Sequence, residues 1–183
     1  MSPTPSSAFT RVGLAATLLL PAAFLGACSF IGGDSCDGTA AELKRLAAQP
    51  LLDAAPAHAA EPTNYRGVGV STACDDDSPG EPWLHADRVY AYPGKAADVI
   101  AYYTRTAAAA GWRSEPNPPD AAPATVIGAC WTKTEQGRHL LLNVDFNTDV
   151  YSPPPKVGNG IAYEVSVGST ADGGGGEEAS CWQ

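Results

Sequence analysis

Apolar and polar residues alternate over several short runs in the second half of the chain. Leu140, Leu142, Val144 and Phe146 share one parity, with Asn143 and Asp145 on the other; Ile161, Tyr163, Val165 and Val167 oppose Glu164 and Ser166 in the same way. A period of two with one apolar side predicts strands of an antiparallel sheet with one buried and one wet face. Strands are expected over 125–133, 139–146 and 161–168, the first two joined as a hairpin by Glu135-Gln136-Gly137-Arg138. Upstream, Val68, Val70 and Thr72 alternate toward Cys74, and Leu84, Ala86, Arg88, Tyr90 and Tyr92 alternate against His85, Asp87, Val89 and Ala91, predicting two further strands.

The period changes after Pro93-Gly94. Val99, Ile100, Tyr103, Ala107 and Ala110 fall on one side of a helix running from Lys95 to Ala110, with Gly111 placed for a left-handed cap and Trp112 expected to fold back onto the core. Thr39-Ala40-Ala41-Glu42 has the spacing of a capping box, and Leu43, Leu46 and Ala47 follow at helical spacing until Pro50, so a short helix is expected over about 39–49. The Ala- and Pro-rich stretch 51–64 shows no sustained period and reads as a connector laid on the surface or an ill-packed turn of helix; 115–123 reads as a loop. The fold class is therefore α+β: an antiparallel sheet of about five strands, ordered ββαβββ along the chain, with one long helix packed on one face and a short N-terminal helix.

Composition narrows the classes of function. The chain has 183 residues, 44% hydrophobic and 17% charged, which suits one ordinary domain. Its 20 acidic residues against 11 basic ones argue against nucleic acid, because a polyanion is held mainly by Lys and Arg.

The start of the chain is different in kind. Arg11 precedes an apolar run, Val12 to Leu25, that ends at Leu25-Gly26-Ala27-Cys28. This resembles the lipobox of bacterial lipoproteins. The resemblance implies that Cys28 receives a diacylglyceryl thioether, that residues 1–27 are removed as a signal peptide, and that the product is held by acyl chains such as palmitate on the extracytoplasmic face of the cell membrane. The alternative is an uncleaved membrane helix, since 12–33 carries no charge, but Pro21 and the glycines oppose it. The remaining organisation is a tether over 28–35, a short helix and connector over 36–64, an α+β domain over 65–170 and a Gly-rich tail over 171–183.

With Cys28 acylated, Cys36, Cys74, Cys130 and Cys181 remain, an even number suited to two disulfides in an oxidising compartment. Three pairings are open. Cys74 with Cys130 is favoured because both fall within the sheet, leaving Cys36 with Cys181 to tie the ends. The run Cys74-Asp75-Asp76-Asp77-Ser78, with Arg88-x-Tyr90, Val99-Ile100-x-Tyr102-Tyr103, Gly111-Trp112 and Cys130-Trp131-Thr132-Lys133, also resembles a group of small secreted actinobacterial lipoproteins. That resemblance supports the same pairing and the α+β fold, and implies no activity.

Candidate chemistry is sparse. No zinc-type spacing, Gly-x-Ser-x-Gly elbow, HExxH helix, P-loop or dinucleotide fingerprint is present, and no cofactor or metal is expected. Asp75, Asp76, Asp77 and Glu81 offer oxygen ligands without a calcium-loop spacing, so solvated turn carboxylates are the better reading. His58, His85 and His139 read as structural. The wet face gathers Asn143, Asp145, Glu164 and Ser166, where paired carboxylates would suit acid/base work. Loop 147–160, with Tyr151, Pro153, Pro154, Pro155 and Lys156, forms a stiff projection and is the candidate binding loop. The favoured function is a non-catalytic module binding an envelope protein or cell-wall component. The alternatives are an envelope hydrolase using Asp145, Glu164 or His139, and a purely structural lipoprotein.

Overall fold

Six strands pair into one antiparallel sheet: β1 (Ser71–Asp75), β2 (Trp83–Tyr92), β3 (Arg113–Glu115), β4 (Ala129–Glu135), β5 (Arg138–Asp145) and β6 (Ile161–Thr170), in the order β1-β2-β6-β5-β4-β3. The computed structural model describes residues 36–76, 80–116, 122–174 and 181. The lipobox and the apolar run before it lie outside the described residues, as does Asp77 of the acidic run. Among the described residues four α-helices, α1 (Ala40–Ala47), α2 (Pro50–Asp53), α3 (Ala96–Ala109) and α4 (Ala124–Ile127), and one short 3-10 turn, Thr148–Val150, complete the fold. The α+β class and antiparallel sheet agree with the alternation of side chains; the sixth strand was not anticipated. Arg113–Glu115 is only three residues long, too short for any period to show, and it forms because Trp112 anchors in the core beside it.

The core lies between the helices and one sheet face. Leu84, Ala86, Tyr90, Tyr163, Val165, Val167, Leu140, Leu142, Val144 and Trp131 meet Val99, Tyr103 and Ala107 of α3 and Leu46 of α1 there. Gly111 takes the expected left-handed conformation at φ +84°, and Trp112 N–H returns to the Ala107 carbonyl at 3.0 Å, closing α3. At the hairpin, Gln136 and Gly137 both have positive φ, the two-residue turn that matches strand twist, and Glu135 pairs with Arg138.

Several local expectations are corrected. Thr39 does not cap α1 with its side chain: its hydroxyl donates to the Cys36 carbonyl at 2.8 Å, and Glu42 pairs with Arg45 and Arg138. Of the two readings of the Ala/Pro connector, the turn of helix holds at its start, and it is buried rather than ill-packed. Leu51 and Leu52 of α2 are buried, Tyr90 donates to the Leu52 carbonyl at 2.7 Å, and Tyr103 donates to the Ala54 carbonyl at 2.5 Å. Residues 125–127, expected as strand, close a helical turn before Gly128. Val68 lies in a turn and Val70 in irregular chain just before β1.

The disulfide pairing is also corrected. Two bridges form, but they join Cys36 to Cys74 and Cys130 to Cys181. Cys74 sits on β1 opposite Leu84, on the helix-covered face, whereas Cys130 sits on β4 opposite Asn143, on the other face, with three strands between β1 and β4. Two cysteines that share a sheet but lie on opposite faces and non-adjacent strands are too far apart for a bridge, whose Cα atoms need to lie within about 7 Å.

Candidate functional site

The second face of the sheet carries the titratable side chains. Strand alternation puts Asp75 of β1, His85 and Asp87 of β2, Glu164 and Ser166 of β6, and Asn143 and Asp145 of β5 on it. Register then fixes the neighbours. Ser166 lies between Asp87 and Asn143 in one row, and Glu164 lies between Val89 and Asp145 in the next. The four polar residues expected on this face are thus brought together on two adjacent strands.

The face is less wet than alternation alone implies. Asp87 is 8% exposed, Leu141 4% and Cys130 1%. Part of the cover is local: the Trp83 indole lies on Gly168, so close that a Cβ there would stand 2.2 Å from Trp83 Cζ2. The Cys130–Cys181 bridge covers the strand beyond.

A hydrogen bond shifts one of these groups and burial another. His85 is held through Nδ1 by Asp87 Oδ2 at 2.7 Å and through Nε2 by Asp75 Oδ2 at 3.2 Å, and the hydrogen bond to Asp87 raises its pKa. Glu164 moves the same way for a different reason. Removal from water, with Asp87 and Asp145 nearby, pushes its carboxyl up to about 7 against the stabilising hydrogen bond from Tyr151. Like charges directly opposite each other on paired strands repel, so the Asp145 carboxylate adds to the cost of ionising Glu164.

Tyr151 comes from the expected binding loop. Its hydroxyl donates to Glu164 Oε2 at 2.6 Å, and its ring meets Tyr65 edge-on, with centroids 5.9 Å apart. The rest of that loop is clamped to the connector. Tyr65 donates to the Pro153 carbonyl at 2.8 Å, Asn64 Nδ2 to the Pro154 carbonyl at 3.0 Å, and the Lys156 amide to Asn64 Oδ1 at 2.8 Å. Pro153, Pro154 and Lys156 stay exposed, Pro155 is half-buried, and the Ser152–Pro153 peptide is cis. The projection read from composition is therefore a strap tied at both flanks, with Tyr151 turned inward.

Beside Tyr151, a cleft lined by Glu61, Tyr65, Val68, Gly69, Ser71 and Val89 encloses about 40 Å³, room for a water molecule but not for a substrate. His139 does not join the carboxylates. It lies six residues from Asp145 along β5, roughly 20 Å at the usual rise per residue. Among the described residues no group of three or more His, Cys, Asp or Glu is placed to hold a metal ion. Asp75 of the acidic run is engaged by His85.

A more open groove lies where the connector, the end of β2 and the end of the strap meet. It has a volume of about 470 Å³ and is lined by residues including His58, Glu61, Arg66, Tyr92, Pro93 and Lys156. Of these, only Lys156 was singled out from sequence. The six are dispersed over 99 positions, and no local spacing marks them. Among the described residues, no helix is long and apolar enough to cross a membrane. Compared with family models, curated proteins and solved structures, the chain finds no match.

Proposed function

We propose that this protein is a lipoprotein anchored through Cys28 on the extracytoplasmic face of the cell membrane, its α+β domain acting as a non-catalytic binding module for an envelope component. The observation that carries the non-catalytic reading is the closure over Glu164. Glu164, the group best tuned to hold a proton near neutrality, spends its hydrogen bond on Tyr151 beneath a strap with water-sized space at its side. Of two open grooves of about 470 Å³, one lies on the connector side of that strap, and the other reaches Asp145 but is lined otherwise by Val126, Ile127, Phe146 and Asn147, which bring no second acid or base to it. Two disulfides support an oxidising compartment. Loss of Arg11 with the signal peptide leaves 20 acidic against 10 basic residues, so attraction to anionic lipid would not hold the domain at the bilayer and the acyl chains must.

Two measurements test this. Mass spectrometry of membrane-extracted protein should give an N-terminal peptide beginning at diacylated Cys28; an intact 1–27 segment refutes the anchor. Crosslinking in intact cells should recover the same envelope material with wild type, Glu164→Gln and Asp145→Asn. Breakdown of that material by the wild type alone refutes the non-catalytic reading.

A further inference from the structure

We propose that the groove between connector, strap and β2 binds an acidic saccharide, its carboxylate or phosphate held by Arg66 and Lys156 and a sugar ring laid on Tyr92. This rests on the binding-module reading above and assigns it a ligand class. The charge in the groove runs opposite to that of the molecule. The chain has a formal charge of −9, yet Arg66 and Lys156, both exposed, carry no side-chain ion pair among the described residues. Arg45, Arg88, Lys133 and Arg138 are each matched to carboxylates, and Lys44, Lys95, Arg105 and Arg113, for which no salt bridge forms among the described residues either, do not line this groove. The groove's own acid is already committed: Glu61 accepts from Arg88 Nη2 at 3.0 Å and from the Gly67 amide at 2.8 Å. Two cations thus face solvent without internal partners, with His58 beside them, held at φ +73° by the turn before Ala60.

The aromatic floor is fixed. Tyr92 is half-buried, and its ring lies so near Gly94 that a Cβ there would stand 2.4 Å from Cε1. Gly160 likewise passes close to the Tyr92 carbonyl, where a Cβ would come within 2.2 Å. A ring pinned on one side offers a preorganised platform for the apolar face of a sugar. An acidic peptide fits less well. Extended peptides are held by main-chain pairing to a free strand edge, and here Ala60 already occupies the edge at Ala91 with N–H to O distances of 3.0 and 2.7 Å.

The test is titration of the full-length protein in neutral-detergent micelles with trigalacturonate, its trimethyl ester, a phosphodiester-linked sugar trimer and hexaglutamate. Binding of trigalacturonate or the phosphodiester trimer, at least tenfold weaker for the ester, supports the proposal and identifies which anion is read. So does an at least tenfold loss in Arg66→Glu/Lys156→Glu with an unchanged melting temperature, since both side chains are exposed. Equal binding of the ester, tighter binding of hexaglutamate, no binding of any probe, or an unaffected double variant overturns it. If the saccharides fail while a crosslinked envelope partner is still recovered from cells, only the ligand class is lost; unlipidated protein in the cytosol removes the module itself.

Discussion

Glu164 shows how a polar side chain that alternation puts in water ends with a different chemistry. Because its folded-state pKa is raised from 4.5 to about 7, its protonated form stabilises the fold fully below pH 4.5, and that contribution is lost as pH rises through 7. Glu164→Gln keeps an acceptor for Tyr151 and removes the charge. Its stability should exceed wild type by on the order of 2 kcal/mol at about pH 8, with the advantage vanishing by about pH 4, as read by urea denaturation at the two pH values. Tyr151→Phe should instead cost about 1 kcal/mol by the same measurement, because a half-buried hydrogen bond is lost while ring packing on Tyr65 remains. Alternation made the shared face of Glu164 and Asp145 legible. It could not show Tyr151 above them, because that contact spans 13 residues through an irregular loop.

Helices and strands were legible wherever the period ran long enough. The α3 stripe and its Gly111 cap, the β4–β5 hairpin, and the alternating β5 and β6 match the side-chain pattern because each is set by local geometry and one-sided burial. Residues 125–127 depart from it because Gly128 ends the turn at φ +97° against β5. An alanine at 128 would place its Cβ 2.0 Å from the Val144 carbonyl oxygen in a backbone conformation that L residues avoid. Gly128→Ala should therefore cost at least about 2 kcal/mol in thermal or urea unfolding, more than an exposed loop glycine such as Gly158, whose added Cβ meets nothing within 4 Å. The connector shows the opposite failure. Leu51 and Leu52 lie within an Ala/Pro-rich run without period, and they are buried because the hydroxyls of Tyr90 and Tyr103 bind that segment's carbonyls.

The domain taken as a whole has opposing pH dependences. His85 and Glu164 lose their stabilising protons as pH rises through neutrality. Four acids act in the reverse sense. Burial works against the Glu42 carboxylate, but Arg45 and Arg138 hold its pKa low; the Gly67 amide lowers Glu61, the Gln49 amide lowers Glu135, and the Thr170 hydroxyl lowers Asp172. Their contributions are present above the ordinary carboxylate range and are lost as pH falls below it. Stability should peak at about pH 5 to 6, and melting temperatures measured from pH 3 to 9 check this. The bridges close sequence separations of 38 and 51 residues, each worth about 4 kcal/mol on the chain-entropy model. Non-reducing peptide mapping should link Cys36 with Cys74 and Cys130 with Cys181, and Cys130→Ser/Cys181→Ser should unfold at lower denaturant while Cys36–Cys74 stays linked.

Local order in this chain was written in its letters: the period-two strands, the period-3.6 helix, the glycine cap and the two-residue hairpin each depend on neighbours a few positions apart. An even set of four cysteines beyond Cys28 likewise announced two bridges. Which sulfurs join, which carboxyl keeps its proton, and which cations share a groove depend instead on strand order and on the faces to which separate strands turn. Cys74 and Cys130 belong to one sheet yet sit on opposite faces of it, and no reading of spacing distinguishes those two faces until the strands are paired.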